Sequence, residues 1–276
     1  MKYQVLQGNN IDVLKTFPDN HFDSIVTDPP YGIDFLGKSW DANTGALETY
    51  QECLRVLKPG GHILAFSAAR TYHHLAVTLE QAGFEIRDQL MWLYSTKMPK
   101  GNNLKPAHEP IALACKGKPN KLNIDDCRIE RETMTYPANG IQRQTFNEAQ
   151  ADKWRGETTI NDKGGYPHNV IGEVEGYQKY FYAPRTSSKE KQAYNNHPTV
   201  KPIALMKYLI KLVTPKGGRV LDPFNGSGST GCAAVELGCE YVGIELDPNY
   251  VEIATKRIEA WNKEETSFKE LFAECH

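Results

Sequence analysis

A carboxylate, two prolines and a phenol stand in a row as Asp28-Pro29-Pro30-Tyr31, directly behind the run Ser24-Ile25-Val26-Thr27. Each proline fixes φ and removes a backbone donor, and the residue before each is pushed toward extended geometry. The chain must therefore leave its sheet here in a stiff bend, with carbonyls lacking ladder partners beside an acidic and an aromatic side chain. A strand-ending turn is enough to explain a bare Pro-Pro. The rest of the chain decides whether this one is also a site.

The second such stretch is Asp222-Pro223-Phe224-Asn225-Gly226-Ser227-Gly228-Ser229-Thr230. A strand, then Gly226-x-Gly228, then a helix opening near Ser229 is a nucleotide-binding crossover, whose glycines let a ligand approach the backbone at a helix N-terminus. The third glycine of the dinucleotide fingerprint is missing, and so is the Gly-Lys-Ser/Thr of an ATP loop. The next strand, Tyr241-Val242-Gly243-Ile244, ends at Glu245, placed to take ribose hydroxyls where nothing structural calls for an acid. Upstream, residues 195–202 (NNHPTVKP) lead into the helix before this unit. Thr199 can cap and Pro202 suits a first turn. Thr199 and Lys201 could equally hold a ligand carboxylate.

Strand and helix signals alternate on both sides of a long irregular middle. Residues 3–8, 22–30, 62–67, 84–94 and 110–117 read as strands. Residues 44–57 read as a helix with Leu47, Tyr50, Leu54 and Leu57 on one face, stopped by Lys58-Pro59-Gly60-Gly61. Residues 70–83 read as another, closed by Gly83. The rhythm returns at Lys201 with a helix carrying Leu205, Tyr208, Leu209 and Leu212, then strand, Gly-rich turn, helix, strand and a last helix from Pro248 to Lys263. Such repetition predicts an α/β fold with a doubly wound, mostly parallel sheet split between the chain's two ends. Residues 116–195 show neither period, and a segment of that length is too long for a loop, so a second module is expected there. Its aromatics interleave with cations: Trp154-Arg155, Tyr177, Tyr180-Phe181-Tyr182 and Arg185.

Composition narrows the classes. No 18-residue apolar run and no basic-plus-apolar leader is present, so neither a membrane span nor a secretion signal is expected. Six cysteines (Cys53, Cys115, Cys127, Cys232, Cys239, Cys275) include no CxxC pair, which speaks against a zinc site or disulfide framework and for a reducing cytoplasm. The net charge of −2 is no mark of a nucleic-acid binder, but residues 95–201 carry 17 Lys+Arg against 12 Asp+Glu and the remainder 15 against 22. A basic middle between acidic ends is what local phosphate contact needs.

Together, the Asp-Pro-Pro-Tyr turn, the His-Pro-Thr-x-Lys-Pro stretch and the Asp-Pro-Phe-x-Gly-Ser-Gly loop, in this order, resemble the amino-directed DNA methyltransferases, in the permuted group called the beta class. The likeness covers nearly all of residues 1–115 and 195–262. It implies a Rossmann-like, circularly permuted methyltransferase domain at residues 1–115 and 196–276 and a target-recognition module at 116–195. It implies S-adenosylmethionine as cofactor (S-adenosylhomocysteine as product) and double-stranded DNA as partner, with no metal, in activity of the restriction-modification kind. In such enzymes Asp28 and the Pro29 carbonyl orient an exocyclic amine, Pro30 stiffens the bend, and Tyr31 stacks on the extruded base. Cofactor contacts are implied for Thr199, Lys201, Asp222, Phe224, Gly226, Gly228 and Glu245. Residues 3–10 become the strand missing after Glu245's helix. Asn9 then meets the cofactor adenine where relatives commonly carry aspartate. Asp at position 28 favours adenine N6, with cytosine N4 as the alternative. A nicotinamide-dependent oxidoreductase on the same scaffold leaves the Pro-Pro turn unexplained, and a DNA-binding protein without catalysis leaves Asp28, Tyr31 and Gly226 intact for no purpose. Gln142, Arg143, Gln144, Asn161 and Arg185 have the donors and acceptors for base readout. Oligomeric state, a homodimer included, is not legible.

Overall fold

The strand order β1-β8-β7-β2-β3-β5-β4-β6 defines one sheet of eight strands. It belongs to a computed structural model that describes residues 3–33, 44–94, 106–129, 164–172, 195 and 199–273, with side chains through 262. The strands are β1 (Tyr3–Gln7), β2 (Phe22–Thr27), β3 (Leu57–Phe66), β4 (Glu85–Leu93), β5 (His108–Cys115), β6 (Val170–Ile171), β7 (Arg219–Asp222) and β8 (Glu240–Glu245). The helices are α1 (Asn10–Leu14), α2 (Leu47–Val56), α3 (Tyr72–Ala82), α4 (Ile203–Val213), α5 (Ser229–Glu236) and α6 (Pro248–Ala273). Every pairing is parallel except those of β5, which runs antiparallel to both β3 and β4.

Both faces of β2, β3, β5, β7 and β8 are covered, which is why most of their residues are apolar. The pleat sends Val26, Leu64, Phe66, Ile111, Leu113 and Val220 into one apolar cluster with α4 and α5. Their neighbours Ile25, Ile63, Ala65, Ala112, Ala114 and Leu221 enter the other, against α2 and α3. β1 lies parallel beside β8 in the register Tyr3↔Tyr241 through Gln7↔Glu245. The first strand of the chain thus completes the sheet next to its last one, as the permuted order requires.

The structure departs from the sequence reading in three places. Of the expected face, Tyr50 and Leu57 are fully buried, Leu57 as the first residue of β3, while Thr49, Cys53 and Val56 complete the buried stripe of α2 in place of Leu47 and Leu54. Leu47 and Leu54 only flank the cluster. α2 ends at Val56, ahead of Lys58-Pro59-Gly60-Gly61 as expected, but that stretch already lies within β3, where the register shifts from Phe22↔Leu57 to Ser24↔His62. Gly60 makes that shift possible with φ 76, since a Cβ there would sit 2.5 Å from Asn120 Oδ1.

The third departure concerns the irregular middle, part of which is built into the body of the domain. Asn123 caps the end of α4, its N–H donating to Leu212 O at 2.9 Å and Nδ2 to Lys211 O at 2.9 Å and Thr214 O at 2.8 Å. Cys127, Leu122 and Ile124 seal the cluster beside α4. Val170–Ile171 extends the sheet beyond β4 through Met91↔Val170 and Trp92↔Ile171. These residues act singly or in pairs, so no period announces them. Gln142, Arg143, Gln144, Asn161 and Arg185 lie outside the described residues. Among the described residues, no helix is long and apolar enough to cross a membrane.

Candidate active site

The Asp222–Gly228 loop and the Asp28–Tyr31 turn leave neighbouring parallel strands, β7 and β2, at the same carboxyl edge. Ligands of open α/β sheets sit at this edge. The loop reaches α5 through left-handed backbone at Gly226 (φ 50) and Gly228 (φ 78). At Gly228 a side chain would also press on helix α6, with a Cβ 3.0 Å from that of Ala254. The turn therefore stays bare, and the first amides of α5 lack intrahelical acceptors.

From below, the loop is held by Arg257 of α6, only 1% exposed. Its guanidinium donates to the Ser227 carbonyl, to Ser227 Oγ at 2.9 Å and to Ser229 Oγ. No motif pointed to this arginine, because its partners depend on how α6 packs.

Glu245 closes the far side. Its Oε2 accepts the Gly226 N–H at 2.8 Å and its Oε1 the Asp247 N–H at 3.0 Å. The sequence reading that nothing structural requires an acid here needs correcting, since Glu245 pins the glycine turn. A carboxylate has about four lone-pair positions, so acceptor capacity for a ribose diol remains. Burial first, then the Asp247 charge, pushes its carboxyl pKa up, against the pull of backbone donors. Next to it Leu246 is 66% exposed, one of the exposed large apolar side chains among the described residues. An apolar surface beside a ribose acceptor suits a nucleoside, so the residues present fit an adenosine-bearing cofactor.

Asn9 is exposed and caps α1, its Oδ1 accepting the Ile11 N–H at 2.9 Å. The contact with the loop comes from Asn10, whose Nδ2 donates to Pro223 O at 3.3 Å while its Oδ1 accepts from Thr49 Oγ1 at 3.1 Å. Asn9 stays near the site because the Gly8 N–H donates to Glu245 O at 3.0 Å. Phe224 is half-buried against Tyr50, with ring centroids 6.3 Å apart.

Asp222, expected at the cofactor, is instead an internal brace. It is 2% exposed and accepts from Thr27 Oγ1 at 2.7 Å, Thr230 Oγ1 at 2.6 Å and the Phe224 N–H at 3.1 Å. Thr27 immediately precedes Asp28, so this bond ties the two motifs together. Burial pushes the Asp222 carboxyl up to about 6, the Asp28 charge adding and the hydrogen bonds opposing. Because the folded pKa lies above the ordinary aspartate value, the protonated form favours the fold. That stabilisation is full below about pH 4 and is lost as pH rises toward 6, on the order of 3 kcal/mol in all. Asp222→Asn is therefore expected to flatten this part of the stability profile. Thermal unfolding of both proteins from pH 4 to 7 checks this, and parallel curves would contradict it.

Lys201 was expected with the cofactor, but the structure brings it to the Pro-Pro turn. Its Nζ donates to Asp28 Oδ2 at 2.5 Å and Tyr31 Oη at 3.0 Å, and lies 3.4 Å from Glu109 Oε2. The ammonium also sits 4.8 Å above the Phe66 ring, a face that attracts cations. Tyr31 Oη contacts Asp28 Oδ1 at 2.8 Å and Glu109 Oε2 at 2.9 Å. Burial, then Asp28 and Glu109, raise the Tyr31 phenol well above its usual range, so it stays the proton donor. Pro29 is buried and Pro30 half-buried, which makes the bend rigid. Thr199 is half-buried upstream of Lys201. Glu109 was missed, although a lone carboxylate heading the run Pro110-Ile111-Ala112-Leu113-Ala114-Cys115 was a signal. Among the described residues, no group of His, Cys, Asp or Glu is placed to hold a metal ion.

Known proteins are similar to this chain to different degrees. The chain is 28% identical over 265 residues to the DNA adenine methyltransferase YhdJ of Escherichia coli (strain K12), covering 92% of this chain and 82% of that protein. It is 27% identical over 271 residues to the type II methyltransferase M.HpaI of Haemophilus parainfluenzae, covering 94% and 75%. Among solved structures, the M1.HpyAVI–SAM complex superposes with a TM-score of 0.59 at 24% identity, over 92% of this chain and 99% of that one. The cytosine-N4-specific PvuII DNA methyltransferase superposes with a TM-score of 0.63 at 16% identity, over 92% and 86%. These two show the fold. Residues 22–256 match the N6_N4_Mtase family as a whole, from the strand before the Pro-Pro turn to the helix behind the glycine loop, and the chain belongs to this family of DNA methylases.

Proposed function

We propose that the protein transfers the methyl group of S-adenosylmethionine to N6 of an adenine extruded from double-stranded DNA. The observation that carries this is the Thr27–Asp222 bond of 2.7 Å, which fixes the amine-binding turn against the cofactor loop at one edge of the sheet. Target choice follows Asp28 and the adenine-directed relative. Glu245 would hold the ribose, Leu246 the adenine ring, and the Gly226–Gly228 turn would admit the rest of the cofactor. Bound there, S-adenosylmethionine supplies an electrophilic methyl group on its sulfonium.

The protein's own part is to make a poor nucleophile usable. The lone pair of an aromatic amine is delocalised into its ring. Asp28 and the Pro29 carbonyl accept its two N–H groups, which favours a tetrahedral nitrogen aimed along the transfer line. Tyr31 offers a ring face for the base outside the duplex. Methyl incorporation from labelled S-adenosylmethionine into unmethylated DNA tests the reading. Incorporation is expected, and its absence with intact DNA binding would leave a binding protein instead.

DNA grip is assigned to the stretch within 116–195, supported by the charge excess of residues 95–201, 17 Lys+Arg against 12 Asp+Glu. Lys153 with Arg155, and Lys189 with Lys191, lie outside the described residues. Replacing either pair by alanine is expected to weaken DNA binding and lower its log–log salt slope by about one unit for each phosphate no longer neutralised. Cofactor affinity should not change. If both double variants bind DNA with wild-type affinity and slope, the grip lies elsewhere, with the cations at Lys38 and 97–105 the next to replace.

A further inference from the structure

We propose that Glu109 is a positioning residue for methyl transfer, holding Asp28 in its working orientation through Tyr31 and Lys201. Only a reversed strand could deliver it. β5 runs antiparallel to β3 with Phe66 opposite Ile111, so residues just before Ile111 project past the carboxyl end of β3, level with the Asp28 turn. A parallel strand would send its first residues to the opposite edge.

Burying Glu109 has no packing motive. The residue is 5% exposed, directly before the apolar run Pro110–Cys115 of β5, and an uncompensated carboxylate there is costly. Its compensation is the catalytic turn itself. The single phenolic proton of Tyr31 lies between Glu109 Oε2 at 2.9 Å and Asp28 Oδ1 at 2.8 Å. The Lys201 ammonium bridges the same two carboxylates, at 3.4 Å from Glu109 and 2.5 Å from Asp28. Tyr94 lies close to Glu109 as well, its phenol donating to the neighbouring His108 carbonyl at 3.1 Å.

Each oxygen of Asp28 therefore has one partner on the protein side, and the remaining lone pairs are directed by those partners. Glu109 fixes where both partners sit. Without its charge, Lys201 and Tyr31 lose one of the two carboxylates that fix them, and the Asp28 carboxylate can rotate with them. Misplacement of an acceptor by a fraction of an ångström is enough to slow a transfer that depends on lone-pair direction.

The proposal rests on the amine-methylating reading, and its test separates the two. Single-turnover methylation of DNA, with cofactor affinity by calorimetry, is measured for wild type, Glu109→Gln, Tyr31→Phe and the double variant. Glu109→Gln is expected to lower the single-turnover rate about 10- to 100-fold with the Kd for S-adenosylmethionine and the Tm nearly unchanged. The double variant is expected to be no slower than the slower single one, since both changes cut the same link. Wild-type-like turnover in Glu109→Gln, or effects that multiply in the double variant, would overturn the positioning role. If Glu109→Gln does not fold, Tyr31→Phe decides, and full activity there sinks the proposal. A wild type that moves no methyl to DNA would instead sink the functional reading.

Discussion

Asp28→Ala is expected to lower methyl transfer by about two to three orders of magnitude, the usual effect of deleting a preorganised acceptor or donor at the reacting centre. Binding of S-adenosylmethionine should stay within about twofold, because the cofactor loop contacts Asp28 only indirectly, through Thr27 and Asp222. The substitution also removes the partner of Lys201 and Tyr31, so Asp28→Asn belongs beside it. Asparagine keeps the shape and one acceptor but turns the other position into a donor, which faces the Lys201 ammonium or the target amine unfavourably. Both variants should be slow. Near-normal turnover in either would remove Asp28 from the reaction.

The second large effect is expected at the cofactor loop. Glu245→Ala deletes the acceptor proposed for the ribose and leaves the Gly226 and Asp247 amides without their partner. A charged acceptor of this kind is worth about 1.5–3 kcal/mol, which is roughly a 10- to 150-fold weaker Kd. Gly226→Val attacks the same loop through the backbone, since φ 50 is unfavourable for a β-branched residue. Calorimetry on both variants, with Tm as the control for folding, checks this. A folded variant that binds the cofactor normally would show that the loop is not the cofactor site.

What was legible in the sequence is what local chemistry determines. Asp28-Pro29-Pro30-Tyr31 can only end a strand, Gly226 and Gly228 can only make a tight turn, and Gly83 closes α3 at φ 102 as its position suggests. The flanking periods gave a doubly wound sheet without further help. What was not legible depends on direction and distance. Periodicity identifies β5 as a strand but is blind to its reversal, and the reversal alone brings Glu109 to the turn. Lys201 reads equally well as a partner for a ligand carboxylate or for a protein carboxylate until Asp28 and Glu109 are seen around it. Asn9 and Asn10 are neighbours of one type, and only the packing of α1 decides which reaches Pro223. Arg257 and Asn123 hold backbone carbonyls, which no side-chain pattern advertises.

The central claim is that Asp28 and Pro29 present an adenine amine to the cofactor. Digestion of DNA methylated by the protein to single nucleosides, followed by mass spectrometry, tests it most directly. The account predicts N6-methyladenine as the modified nucleoside, absent from DNA treated with Asp28→Ala. N4-methylcytosine would keep the chemistry and overturn the target, and a methyl group on a ring carbon would contradict the mechanism.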